Sequence, residues 1–193
     1  MIEKYCKYVK IIREKLDDYR YEHSINVAEK AAEIAGQYGA DIEKAYLAGL
    51  LHDVTKNLTD EEQLHFFDTF GIMLTDAEKS SPKVWHAISA SVFIKEELGI
   101  KEKDILDAVR YHTTGRADMS LLEKVVYIAD FTSKDRKYPD VDVLRKIVSE
   151  NLEDGVIYAL SYTISSLSGK NKVIHPDTFN AYNQLLLSKG MLK

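Results

Sequence analysis

Residues 49–57 read GLLHDVTKN. The apolar run Ala48-Gly49-Leu50-Leu51 stops at His52-Asp53, two polar groups that are costly to bury unless something satisfies them. Two readings are open from this stretch alone. Either the pair caps the end of a core helix and faces water, or it holds a metal. The rest of the chain has to supply the partners that decide between them.

Outward from this stretch the apolar spacing is helical. Ile25, Ala28, Ala32 and Ala35 recur at three and four, and Ile105, Leu106 and Val109 form another stripe, as do Val125, Val126, Ile128 and Ala129. Hairpin signals are weak. There are three prolines, no Asn-Gly pair, and one Asp-Gly pair, Asp154-Gly155, which lies inside a helical pattern. Thr59-Asp60-Glu61-Glu62 and Ser120-Leu121-Leu122-Glu123 spell capping boxes. Gly39, Gly71 and Gly99 each follow a helical run, as a left-handed helix end requires, and Pro82 and Pro176 suit first-turn positions. The pattern predicts helices near 2–17, 20–38, 41–54, 60–70, 82–98, 102–112, 120–133, 140–149, 151–168 and 176–188. No internal repeat interrupts them. The expectation is one all-α domain, with a core over about 18–134 and the helices of 140–190 packed on it.

Composition narrows the class. With 193 residues, 45% hydrophobic and 30% charged, a globular core is within reach and disorder is not expected. The net charge of −5 argues against a protein that coats nucleic acid, though not against a local basic pocket for a phosphorylated small molecule. The single cysteine, Cys6, rules out an internal disulfide and fits a reducing cytosol. The opening MIEKYCKYVK lacks the apolar segment of a signal peptide, and no run approaches the roughly 20 apolar residues of a membrane span.

Several polar residues do not fit a plain helical core. His23 lies in RYEHSINVA, His86 in PKVWHAISA among small and apolar neighbours, and His112 in AVRYHTTG. Asp130 follows the nearly continuous apolar run Val125–Ala129. Taken singly, each has a bland reading: His86 packs on Trp85, or Asp130 caps the next segment. His65, beside Phe66-Phe67, reads as a helix-surface residue, and His175, before Pro176, as a loop or capping residue. The set shifts the balance. Imidazole nitrogen and carboxylate oxygen together suit zinc, iron, manganese and similar ions, and helical bundles build such sites from one inward ligand per helix.

The order His23, His52-Asp53, Asp130 on successive helices resembles the HD-domain superfamily of metal-dependent phosphohydrolases. RYEHSINVA, LAGLLHDVTKN, WHAISA, AVRYHTTG, VVYIADFTSKDRKYPDV and HPDTFNAYN together resemble its YqeK branch, over nearly the whole chain. The resemblance implies a bacterial, cytoplasmic enzyme, a homodimer by family expectation, that splits diadenosine tetraphosphate symmetrically into two ADP. It implies a metal, iron in the first instance with manganese, cobalt or zinc as alternatives, held by His23, His52, Asp53 and Asp130. His86 and His112 stand where a second ion would bind, or they contact phosphate instead. One departure is visible: where relatives read Glu-Pro-x-Arg after the aspartate, this chain has Ser133-Lys134-Asp135-Arg136. The arginine is kept and the stiff proline is gone, which bears on the loop's shape rather than its chemistry.

The expected chemistry follows. A bound metal lowers the pKa of its water and polarises a phosphoryl oxygen, so metal-bound hydroxide beside Asp53 and Asp130 attacks a central phosphorus. Arg20, Lys56 and Arg136 are expected to clamp the anionic substrate, with Thr55, His86, His112, Thr113 and Thr114 donating to phosphate oxygens. Tyr138, Tyr111 and the HPDTFNAYN segment are the candidates to face a base. An HD nucleotidase or guanosine-tetraphosphate hydrolase would use the same ligands with different products. A non-catalytic nucleotide-sensing module would bind without turnover.

Overall fold

The computed structural model describes residues 5–190. Among them are eleven α-helices and no strand: α1 Cys6–Lys15, α2 Asp18–Tyr38, α3 Ile42–Leu51, α4 Asp60–Thr69, α5 Asp76–Lys79, α6 Trp85–Glu96, α7 Lys103–Arg110, α8 Leu121–Thr132, α9 Val141–Glu150, α10 Leu152–Ser168 and α11 Pro176–Ser188. All ten expected helices are present, although the expected start of the first, residues 2–4, lies outside the described residues. The class is all-α, as expected. No described helix is long and apolar enough to cross a membrane.

The ends obey local chemistry. Both expected capping boxes form, at Thr59 and Ser120, and Gly39, Gly71 and Gly99 take φ of 76°, 63° and 69°. The first helix stops short of residue 17 because the Asp17 carboxylate accepts the Arg20 amide at 2.8 Å and so starts α2. The element missed from sequence is α5. Thr75 and Glu78 spell a third capping box, but the helix is one turn long and has no apolar stripe to announce it. A 3-10 turn at Pro82–Val84 then leads into α6, where a longer α-helix was expected.

The bundle is organised around α8. Val125 to Ala129 are buried on every side, so the helix reads as a continuous apolar run rather than an amphipathic stripe. α2, α3 and α7 cover one side of it, and α9 and α10 another, with α11 packed on α10. Gly155 lies inside α10, where a Cβ would meet Val148 at 2.4 Å, so the Asp-Gly pair is there for close helix packing rather than for a turn. The pairing that matters most for the site is α2 on α3. A Cβ on Gly49 would meet Ala28 Cα at 3.0 Å, and Ala31, Ala35, Ala45 and Ala48 are fully buried nearby. Small side chains let these two backbones approach, and that approach carries His23 of α2 against His52 beyond the end of α3.

Candidate metal centre

After Leu51 the chain does not continue as helix. Residues 51–58 wind through successive tight turns, Leu51 O accepting from Val54, Asp53 O from Lys56 and Thr55 O from Leu58. This winding turns both His52 and Asp53 inward, so the exposed-cap reading fails: both are buried. His52 Nδ1 lies 2.7 Å from the Gly49 carbonyl, which can only accept. The ring proton is therefore on Nδ1, and the Nε2 lone pair faces the centre of the bundle. His112, in the turn after α7, repeats the device, its Nδ1 donating to Val109 O at 2.7 Å. Both histidines close a helix by folding back on a carbonyl three residues earlier.

Around these two lone pairs the remaining groups converge. His23 Nδ1 donates to Asp135 Oδ2 at 2.8 Å, while its Nε2 lies 2.9 Å from Asp130 Oδ1. The Asp53 carboxylate straddles the site. Its Oδ2 is 3.6 Å from His52 Nε2 and 3.1 Å from Arg20 Nη1, and its Oδ1 is 3.1 Å from His86 Nε2 and 3.7 Å from His112 Nε2. His86 Nε2 and His112 Nε2 are 3.2 Å apart. Two sets of donor atoms lie within 4.8 Å of one another, His23-His52-Asp130 and His52-Asp53-His112, sharing His52.

Electrostatics is set by burial and by these neighbours. Burial pushes His52 down to about 3 and His86 to about 4, so both rings are neutral and offer lone pairs. Burial also opposes the charged form of Asp53, but the imidazoles of His52, His112 and His86 outweigh it and hold the carboxyl well below its usual range. Asp130 is likewise held down, against burial, by His23 and Arg136. Burial depresses the Lys56 ammonium, and it lies within 3.1 Å of both His86 ring nitrogens.

A cation suits this arrangement on one specific observation. His52 Nε2 is buried and has no hydrogen-bond partner, although nitrogen lone pairs and carboxylate oxygens surround it. Lone pairs so placed repel unless a proton or a metal lies between them, and mixed imidazole and carboxylate donors suit zinc, iron, manganese or cobalt.

The phosphate-binding candidates divide. Arg20 and Lys56 reach the centre, and so does Arg136, whose Nε donates to Asp130 O at 2.7 Å while Nη2 bonds Asp130 Oδ1 and lies 3.3 Å from His23 Nε2. Thr113 Oγ1 is 3.2 Å from His112 Nε2. Thr55 and Thr114 do not fit the role expected of them. The Thr55 hydroxyl donates to His86 O at 2.9 Å and contacts Ser89, tying the turn to α6. The Thr114 hydroxyl donates to Gly115 O, and its carbonyl accepts from Thr178. Both are buried away from the centre, because a threonine in a tight turn finds a local carbonyl first. Two residues were missed. Asp135 fixes the His23 ring, and Asn26 Nδ2 in turn donates to Asp135 Oδ1 at 3.1 Å. Asn26, one turn after His23 on a buried face, was the only available hint.

Two clefts open at the centre. One of about 480 Å³ is walled by Arg20, Lys56, Lys83 and His86. The other, about 210 Å³, runs from Asp130 and Arg136 to Phe131, Tyr138 and Tyr162. Tyr111 and residues 175–183, expected near a base, line neither. The Tyr111 ring packs against the guanidinium groups of Arg110 and Arg116, and His175 caps α11. A larger groove of about 690 Å³ lies on the far side of residues 54–58, among Lys15, Phe66, Phe70 and Phe93, and carries none of the convergent donors.

This is the site and fold of an HD-domain protein, and the chain belongs to that family: the HD domain model matches residues 20–135. The relatives narrow it further. The symmetrical bis(5'-nucleosyl)-tetraphosphatase of Halalkalibacterium halodurans is 37% identical over 95% of this chain and 97% of its own. The Bacillus subtilis enzyme of the same name is 38% identical over 91% of this chain and 94% of its own. Among solved structures, a protein described as a predicted HD superfamily hydrolase involved in NAD metabolism from Clostridium acetobutylicum superposes with a TM-score of 0.92 at 35% identity. That match covers 95% of this chain and 97% of the other.

Proposed function

We propose that this chain is a symmetrical bis(5'-nucleosyl)-tetraphosphatase, a metal-dependent phosphohydrolase that cleaves diadenosine tetraphosphate into two ADP. Relatives of that name match it nearly end to end. The observation that carries the chemistry is the buried, unpartnered His52 Nε2 ringed by His23, Asp53, His112 and Asp130.

We propose iron as the ion; His23, His52, Asp53 and Asp130 would hold it, and His86 and His112 would help to hold a second ion or contact phosphate. An ion so held supplies Lewis acidity at a phosphoryl oxygen and lowers the pKa of a bound water. The protein's own residues do the remainder. Asp135 keeps the proton on His23 Nδ1 and so turns the Nε2 lone pair toward Asp130 and the other donors. Gly49 O and Val109 O do the same for His52 and His112. Arg136 pairs with Asp130, Arg20 with Asp53, and Lys56 lies against His86. These three cations would bind the anionic chain and hold its middle at the donors. Water adds to one central phosphorus, the bridging oxygen leaves with the other half, and two ADP result. ADP is an adequate leaving group, so no strong general acid is required.

The test is product analysis. Protein purified without chelator is incubated with diadenosine tetraphosphate, and the nucleotides are separated by anion exchange. ADP as sole product is the expected result. ATP plus AMP would mean that the substrate lies in another register, and binding without turnover would favour a sensor.

A further inference from the structure

We propose that Tyr138 and Tyr162 form the platform on which one nucleobase of the substrate stacks. The proposal rests on the nucleotide reading of the site and adds to it a specific subsite.

The two tyrosines come from distant parts of the chain, Tyr138 from the loop after Asp130 and Tyr162 from α10. Their ring centroids are 5.5 Å apart at 33°, and they wall the 210 Å³ cleft whose inner end is Asp130 and Arg136. The pair is therefore continuous with the candidate centre rather than a separate surface feature. The platform is also held in place. The Tyr138 hydroxyl donates to Phe131 O at 3.0 Å, and the backing Phe131 ring packs on Tyr127 at 5.2 Å. Tyr162 is 42% exposed and has no comparable anchor, so it presents a ring face to whatever enters. An aromatic already fixed by its neighbours loses little freedom when a flat ligand stacks on it.

The choice of a base over a sugar follows from what the cleft lacks. Its one carboxylate, Asp130, meets His23 and Arg136 through Oδ1 and belongs to the candidate metal centre, and the Phe131 side chain contributes only apolar surface. Ribose hydroxyls would have to compete with the metal-centre donors for that single carboxylate, whereas a π-face finds two aromatic partners. Arg136 at the inner end stands where the phosphate attached to that nucleoside would begin. Stacking of this kind tolerates any base, so the platform would support adenine and guanine alike.

The test compares ADP with inorganic pyrophosphate, which carries the phosphates and no base. Both are titrated calorimetrically into the metal-loaded wild type, Tyr162→Ala and Tyr162→Phe. The expected result is that Tyr162→Ala weakens ADP about tenfold, the scale of one lost base stack, while pyrophosphate changes less than about twofold. Tyr162→Phe should restore ADP binding. Equal weakening of both ligands, or no weakening of ADP, would overturn the platform, and so would a wild type that binds ADP no better than pyrophosphate. Titration needs no turnover. Failure of the tetraphosphatase reading would appear separately, as a wild type that forms no ADP from the dinucleotide.

Discussion

Asp53 and Glu123 are buried to the same extent, each about 2% exposed, in the same bundle. Their surroundings differ in kind. Glu123 accepts from Arg116 Nε at 2.5 Å and Nη2 at 2.9 Å and from the Ser120 amide at 2.8 Å, so one bidentate arginine and one helix cap use up its charge. Asp53 pairs with Arg20 at 3.1 Å and more loosely with Lys56 at 3.9 Å, and otherwise faces the ring nitrogens of three histidines, one of which has no hydrogen-bond partner. Glu78 follows the pattern of Glu123, with Thr75 on one oxygen and Arg110 on the other. A buried carboxylate that serves the fold is closed by its neighbours. One that serves a ligand leaves donors and acceptors that only a further group can reconcile.

The comparison can be broken most sharply at Asp53. Asp53→Asn should lower turnover of the dinucleotide by at least about a thousandfold, since metal assistance amounts to several kcal/mol of barrier. Metal content by elemental analysis should fall with it while the fold survives. A variant that kept both would place Asp53 with the structural carboxylates. Glu123→Gln should do the reverse. Chemical denaturation should show a loss of about 2 kcal/mol, below the usual cost of breaking a buried pair because Arg116 is 29% exposed, with metal content unchanged. Loss of metal there would blur the distinction.

A finer test lies one bond away from the centre. Asp135→Asn should reduce metal affinity or activity about 10- to 100-fold by loosening the His23 ring, with little change in melting temperature. Unchanged affinity would reduce Asp135 to a surface loop residue. The smallest effect concerns acid. Burial raises the Glu78 carboxyl, but hydrogen bonds from Thr75 and the charge of Arg110 outweigh it and hold the folded value below 4.5. A lowered folded value means stability that is present above 4.5 and lost as the pH falls through the folded value. Glu78→Gln should therefore flatten the acid limb of a melting-temperature profile, and parallel limbs would show that Glu78 contributes nothing to it.

Much of this was legible in the sequence. Helix periods, two capping boxes and three C-terminal glycines define the bundle, because each is a local signal read by local chemistry. His52, Asp53 and Asp130 were legible as polar groups ending apolar runs, and His23 and His86 only as members of the set. What escaped was relational. Nothing near Asp135 in sequence says that it will meet His23, more than a hundred residues earlier. Thr55 and Thr114 sit beside functional residues yet turn toward carbonyls, since one rotamer decides between site and scaffold. Tyr162 stands in an ordinary helical run, and only the fold sets its ring beside Tyr138.

The most direct test of the central claim is to strip the protein with chelator, assay it with diadenosine tetraphosphate, and reload it with iron, manganese, cobalt or zinc under the same assay. The account predicts that ADP formation disappears with the metal, returns on reloading, and tracks the metal bound per chain. Full turnover by metal-free protein would contradict it, and the unpartnered His52 Nε2 would then need another explanation.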